Sequence, residues 1–171
     1  AFDTDTGLTG AIPSLSTLTL LANSTYAFSA CTGLTGQIPS LSPLTNLTQM
    51  AFTFYNCTGI TGSVPSLSTL NKLSTIASAF QNCRGLLANT NTMAGIFGTN
   101  VSTWTNLTTA NQCFSVTSGS YTNLVGNADD FIKLPKSASF VTNTLSSGGS
   151  YRMFYNQTNL TDYATIPADW K

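Results

Sequence analysis

Hydrophobic and polar positions follow the same 26-residue pattern three times in the first half of the chain. Residues 6–31, 32–57 and 58–83 share TG(L/I)TGx(I/V)PSLSxLxxL, then variable positions, then Phe-x-x-Cys. Self-similarity with this period and leucine spacing is typical of repeat proteins in which each copy forms one turn of a solenoid. We therefore predict that neighbouring copies stack and bury their apolar sides against each other.

The first half of each repeat alternates between apolar and polar residues. In the second repeat, Leu34, Gly36 and Ile38 alternate with Thr35 and Gln37. This two-residue period predicts a short, half-buried strand. The proline that follows ends the strand, because proline cannot donate a hydrogen bond to a neighbouring strand. Successive strands are expected to pair in parallel as a small sheet.

The second half of each repeat places apolar residues three positions apart. In the second repeat they occupy residues 41–50 and the series runs into Phe54. This spacing predicts a helical or 3-10 segment opposite the sheet. Gly33 and Gly59 lie between that segment and the next strand, where we expect the left-handed conformation that glycine adopts readily.

The pattern loosens after residue 83 but persists. Aliphatic-proline pairs recur at 134–135 and 166–167, with insertions at about 88–106 and 115–150. The prediction is one domain over 1–171, with regular repeats to residue 83, irregular repeats with insertions over 84–171, and about five turns in all. The phenylalanine column of these turns is Phe28, Phe54, Phe80, Phe114 and Phe154.

Three cysteines occupy one column of the repeat. Cys31, Cys57 and Cys83 each follow the column phenylalanine by three residues. Stacked turns would bring them about 4.8 Å apart, but parallel Cβ directions disfavour an unstrained disulfide, and three in a row cannot all pair. We expect a ladder of buried free thiols, with disulfide and redox states as alternatives. Thr117 and Gln157 take the column in the last turns.

The repeat resembles two kinds of leucine-rich repeat. The segment LTGQIPSLSPLTNLT is similar to plant extracellular leucine-rich repeats, whereas FTFYNCTGIT and YRMFYNQTNLTDYATIP are closer to BspA-like repeats of bacterial and phage surface proteins. The resemblance implies a right-handed α/β solenoid with a short parallel sheet and helical segments opposite. It also implies surface attachment rather than catalysis, and it carries over no binding residue.

Charge is scarce and unpatterned along the chain. Lysine and arginine number six, aspartate and glutamate six, and histidine is absent. No basic stripe suits a nucleic acid, and no apolar run suits membrane insertion. Catalytic arrangements that need histidine are excluded. Calcium ligation by residues 126–131 is a minor alternative to a solvated turn. We expect no enzyme activity, no cofactor and no metal.

Two surfaces are candidate binding sites. Outward strand positions Thr35, Gln37, Thr61 and Ser63, beside Thr9 and Ala11, form a polar patch that could bind sugar hydroxyls or main chain, although any solvated sheet looks similar. Aromatic residues of the irregular region could anchor a partner. The aromatic candidates are Trp104, Tyr121 and Tyr151. In a eukaryotic secreted protein, Asn100 and Asn106 would be the expected glycosylation sites.

These features predict a non-catalytic recognition or adhesion module displayed on a bacterial surface or a phage virion. Its expected partner is a protein or glycan on a host or neighbouring surface. The alternative is a structural subunit of a virion, fibre or extracellular filament, whose uncapped ends stack on copies of itself or on other subunits. Either role predicts an extracellular, cell-surface or virion-surface location.

Overall fold

The computed structural model describes residues 1–87, 91–99, 104–117, 124–125, 128, 131, 140 and 152–171. Regular elements are short. The strands are β1 (Gly10–Ala11), β2 (Leu34–Gln37), β3 (Ile60–Thr61), β4 (Asn91–Thr92) and β5 (Leu124–Val125). The helices are α1 (Arg84–Leu87), α2 (Met93–Phe97) and a 3-10 helix, Ala168–Trp170. In the described part of the chain, no helix is long and apolar enough to cross a bilayer.

Strands from successive repeats pair in parallel in the order β1-β2-β3. Ala11 lies beside Thr35, and Gln37 lies beside Thr61. These partners are 24 residues apart, not 26, so equivalent positions are staggered by two residues along the strands. A shift of two keeps the same side chains facing outward, because strand side chains alternate with a period of two.

The segments opposite the sheet are chains of turns, so the prediction of helical or 3-10 segments there is wrong for the regular repeats. Successive turns close at three-residue spacing: the N–H of Leu44 donates to the carbonyl of Leu41, and the N–H of Leu47 to the carbonyl of Leu44. Consecutive turns bury every third residue, which is the spacing that a 3-10 helix also shows.

Residues in the left-handed conformation explain why no helix forms opposite the sheet in the regular repeats. Phe52 and Asn56 have φ near +55°, and the equivalent pairs in the first and third repeats do likewise. Each such residue interrupts the helical sense and turns alternate N–H groups toward the next repeat. Accordingly, Phe52 donates to the carbonyl of Ala77, and Phe54 to the carbonyl of Ala79. Main-chain hydrogen bonds therefore join repeats on this side.

The glycine prediction is also wrong, for a geometric reason. The left-handed glycine of the motif is the second one, with φ of +84°, +72° and +84° at Gly10, Gly36 and Gly62. The first glycine meets a neighbouring main chain instead. A Cβ on Gly59 would lie 2.5 Å from the carbonyl oxygen of Leu34, and one on Gly33 would lie 2.7 Å from that of Leu8.

Stacked rings run through the interior from one repeat to the next. Ring centroids of Phe28, Phe54 and Phe80 are separated by 5.7 and 5.8 Å, with near-parallel planes. The column continues to Phe114 at 5.9 Å and from there to Phe154 at 6.5 Å. The apolar core of the described residues forms one cluster around this column.

Candidate binding surfaces

The predicted sheet residues are exposed on one face. Thr35, Gln37, Thr61 and Ser63 all point outward, and the buried neighbours Leu34, Ile38, Ile60 and Val64 point into the core. The stagger of the strands places Gln37 beside Thr61, with Ala11 beside Thr35. Gln37 and Thr61 thus form a polar pair, whereas Thr35 lies beside the apolar Ala11, and none of these four residues is charged.

The aromatic candidates do not form an exposed site. Trp104 is buried, because its indole N–H donates to the carbonyl of Phe97 at 3.1 Å and its ring packs edge-on against Phe97 and Phe131. The prediction that Trp104 anchors a partner is therefore wrong. Tyr121 and Tyr151 lie outside the described residues.

Of the two glycosylation candidates, only Asn106 is among the described residues. Its side chain lies at the surface, where its amide donates to the carbonyl of Asn71 at 2.8 Å. That hydrogen bond ties the irregular turn to the third repeat. Asn100 lies outside the described residues.

The column cysteines are buried free thiols. Two of the thiols donate to the carbonyl of the column phenylalanine of the preceding turn: Cys57 to Phe28 at 2.9 Å, and Cys83 to Phe54 at 2.7 Å. The Cys31 thiol donates to the carbonyl of Phe2 at 3.0 Å. In the last turn the amide of Gln157 donates to the carbonyl of Phe114 at 3.0 Å. Thr117, which takes the column position in the fourth turn, instead donates its N–H and its hydroxyl to the side-chain oxygen of Asn82. The column side chain therefore donates to a main-chain carbonyl at the cysteine and glutamine positions, but not at Thr117.

Burial makes these thiols poor nucleophiles. Loss of hydration raises the pKa of Cys57 to about 12, against the smaller lowering effect of the Cys31 main-chain N–H. Burial likewise raises the pKa of Cys83 and of Cys113 well above the usual value. A reactive cysteine requires a lowered pKa and access to solvent, so a thiol-based active site in this column is disfavoured.

A third surface lies at the N-terminal end of the stack, one of the two ends at which the alternative role places contacts between subunits. All four exposed large hydrophobic side chains of the described residues are found there: Phe2, Leu18, Leu20 and Tyr26. A groove of about 220 Å³ opens at this end beside Leu18, and Leu15, Leu21 and Phe28 also line it. The sequence indicates this apolar surface at Leu20, because the equivalent positions in the next two repeats hold the polar residues Asn46 and Lys72.

The C-terminal end differs because an aromatic residue covers it. Trp170, from the 3-10 helix, stacks on Phe154 at 6.0 Å and is only 1% exposed. The N–H of Phe154 donates to the carbonyl of Trp170. The C-terminal end of the stack is therefore covered by an indole ring, whereas the N-terminal end exposes apolar side chains.

Among the described residues, no group of three or more histidine, cysteine or acidic side chains could hold a metal ion. Comparisons with protein-family models, curated proteins and solved structures returned no match to this chain. The function is therefore inferred from the geometry of these surfaces.

Proposed function

We propose that this chain is a non-catalytic recognition module, built as a leucine-rich-repeat-like solenoid and displayed on a bacterial surface or a phage virion. Its sheet face attaches to a glycan or protein of a host or neighbouring surface. The observation that carries the proposal is the register of exposed polar groups: Thr35 and Gln37 on β2 and Thr61 on β3 share one face, with Ser63 exposed just after β3, and none of the four is charged.

Uncharged hydroxyl and amide groups suit such a partner. Sugar hydroxyls and peptide main chain both need donors and acceptors at short range, and both are supplied by threonine, serine and glutamine side chains. Pairing within the sheet fixes the spacing of these groups, so little conformational entropy is lost on binding. The location outside the cell follows from this role.

The test is an array of glycans and surface proteins probed with the 171-residue chain. We expect at least one ligand whose binding falls tenfold or more in Thr35→Asp or Gln37→Ala. Thr45→Asp is the matched control, since Thr45 is exposed on the turn half of the same repeat. If only the Thr45→Asp control lost binding, the sheet face would not be the binding site. The proposal would also be contradicted if the array gave no ligand and deletion of this chain left the adhesion of its parent cell or virion unimpaired.

A second function is favoured by a different observation. The apolar N-terminal end suits a structural subunit of a virion, fibre or filament that joins its neighbour through that end. Contiguous exposed apolar surface on a small protein is typical of an interaction site. A species that stays monomeric and binds no subunit of its parent particle would argue against this role.

A further inference from the structure

The polar side chains of the sheet face are not used in hydrogen bonds within the protein. No hydrogen bond joins the side chain of Gln37 or of Thr61 to another described residue. The exposed serines of the proline corner differ, because the two of each repeat hydrogen-bond to each other, as Ser40 and Ser42 do at 2.9 Å. The donors and acceptors of the sheet face are therefore available to a ligand, whereas those of the corner are already paired.

Gln37 is the longest side chain on this face, and it lies flat against the sheet. Its stem rests on Gly62, which directly follows β3. A Cβ on Gly62 would lie 2.5 Å from the Cγ of Gln37 and 3.0 Å from its Cδ. The glutamine side chain therefore crosses from the second repeat to the third at the one carbon there that carries no side chain.

This contact keeps the carboxamide of Gln37 on the side of the third repeat. Gln37 and Thr61 are partners in the register of the sheet, and Gly62 is the next residue along the chain. A carboxamide supplies one acceptor oxygen and two N–H donors, and a threonine hydroxyl both donates and accepts. Because the stem is already held, less side-chain entropy is lost when a ligand binds to the pair.

Only one of the three left-handed glycines of the motif has this second role. A Cβ on Gly10 would meet nothing within 4 Å, and one on Gly36 would make an ordinary contact of 3.6 Å with the Cβ of Ala11. The 2.5 Å separation at Gly62 is well inside the optimum of about 3.5–4.0 Å for two carbon atoms. An alanine at Gly62 would therefore displace Gln37 from the sheet.

The chemistry of the face favours an uncharged glycan over a protein as the ligand. Protein partners usually depend on aromatic or arginine anchors packed into pockets. The exposed large hydrophobic side chains of the described residues all lie at the N-terminal end and none lies on the sheet face. Neighbouring hydroxyls of a sugar ring can each donate and accept, which matches an amide beside a hydroxyl.

We propose that Gly62 is a positioning residue of the sheet face: because it lacks a Cβ, Gln37 lies across the third repeat and presents its carboxamide beside Thr61 to neighbouring hydroxyls of an uncharged glycan. The inference rests on the recognition role proposed above. It adds to that role the class of ligand and a residue that acts through Gln37 without touching the ligand.

The probes are uncharged oligosaccharides of glucose, galactose, mannose and N-acetylglucosamine, printed as an array and then titrated into the full chain by calorimetry. We expect Gly62→Ala to bind about tenfold more weakly than the unaltered chain, as for the loss of one hydrogen bond. Gly10→Ala is the matched control, because Gly10 has the same φ of +84° and open space around it. It should bind as the unaltered chain does.

A double variant separates positioning from a general effect on the fold. In the Gln37→Ala chain the Cγ and Cδ that a new Cβ would meet are absent, so adding Gly62→Ala should weaken glycan binding no further. The extra loss of stability in Gly62→Ala over Gly10→Ala, measured by urea denaturation, should disappear in the same double variant. Such coupling is expected only of residues that act through each other.

Proton NMR reports the contact itself without any ligand. Nuclear Overhauser effects between Gln37 Hγ and Gly62 Hα are expected in the unaltered chain and in Gly10→Ala. Their absence from the unaltered chain, or equal glycan binding by Gly62→Ala, would overturn the positioning role alone. An unaltered chain that shows the contact but binds none of the glycans would instead overturn the glycan-binding role of the sheet face.

Discussion

At the scale of single residues, the interior is organised around the phenylalanine column and the group that donates to its carbonyls. Cys57, Cys83 and Gln157 donate to carbonyls of the column, Cys31 donates to the carbonyl of Phe2, and Thr117 donates to the Asn82 side chain instead. A buried carbonyl that loses a donor costs about 1–3 kcal/mol. The choice of side chain at this column is therefore a matter of hydrogen bonding as well as of size.

Stability should depend on pH through these thiols. The ordinary thiol pKa of 9.0 applies to the unfolded chain, whereas burial raises the pKa of Cys57 to about 12. Between about pH 9 and 12 the unfolded state releases protons that the folded state keeps, so the free energy of unfolding decreases as pH rises. Urea denaturation across this range should show the decrease, and Cys57→Ala should show a shallower one. Identical slopes for the two proteins would contradict the prediction.

Phe54 should be among the most costly residues to truncate. Its side chain is 1% exposed and lies between two other rings. Replacement by alanine leaves a cavity in the column, and we expect a loss of about 3–5 kcal/mol in the free energy of unfolding. Phe52→Ala is the control, because Phe52 is only partly buried. Equal losses in the two variants, measured by urea denaturation, would show that the column is not the core.

At the scale of elements, the sequence predicted the strands better than the segments opposite them. The strand prediction depends on alternation and on a following proline, and β2 ends two residues before Pro39. The prediction of a helical or 3-10 segment opposite is wrong because turns closed at three-residue spacing bury the same positions as a 3-10 helix does. The chain of turns differs from a 3-10 helix in having residues with φ near +55°, at Tyr26, Phe52 and Ser78. Their side chains have no shared chemistry, so the sequence carries no signal for them.

The two glycines of the motif should respond differently to alanine. In Gly59→Ala the new Cβ would lie 2.5 Å from a main-chain oxygen that cannot move without separating two strands. In Gly10→Ala the Cβ would meet open space, and only the left-handed conformation is penalised, by about 1–2 kcal/mol. We expect Gly59→Ala to lower the thermal midpoint more. The reverse order would mean that the strands are not in close contact there.

At the scale of the whole molecule, the two ends of the stack are unequal. The sequence pattern does not predict the cover at the C-terminal end, because Trp170 belongs to no column of the repeat. At the N-terminal end, the apolar Leu20, in a column that otherwise holds Asn46 and Lys72, is a visible sign of the exposed apolar surface. The burial of equivalent leucines increases from the N-terminal end inward: Leu18 is 44% exposed, Leu44 is 2% exposed and Leu70 is fully buried.

Local stability should therefore rise from the open end inward. Amide hydrogen exchange reports the free energy of local opening, which is lowest where few apolar contacts cover the main chain. We expect the amides of Ser24 and Tyr26 to exchange at least tenfold faster than those of Phe54 and Phe80, although all four donate to the next turn. Uniform protection would indicate that the stack opens only as one unit.

The unequal spacing of the ring column has a consequence for how such a protein can change. Successive rings remain within 6.5 Å of each other whether 26, 34 or 40 residues separate them. The additional 8 and 14 residues (34 − 26 and 40 − 26) therefore lengthen a turn without changing the pitch of the column, and Phe97 from one of these longer turns packs edge-on against Phe114. A foreign peptide grafted into that turn would have to keep Phe97 if the internal column is to stay intact.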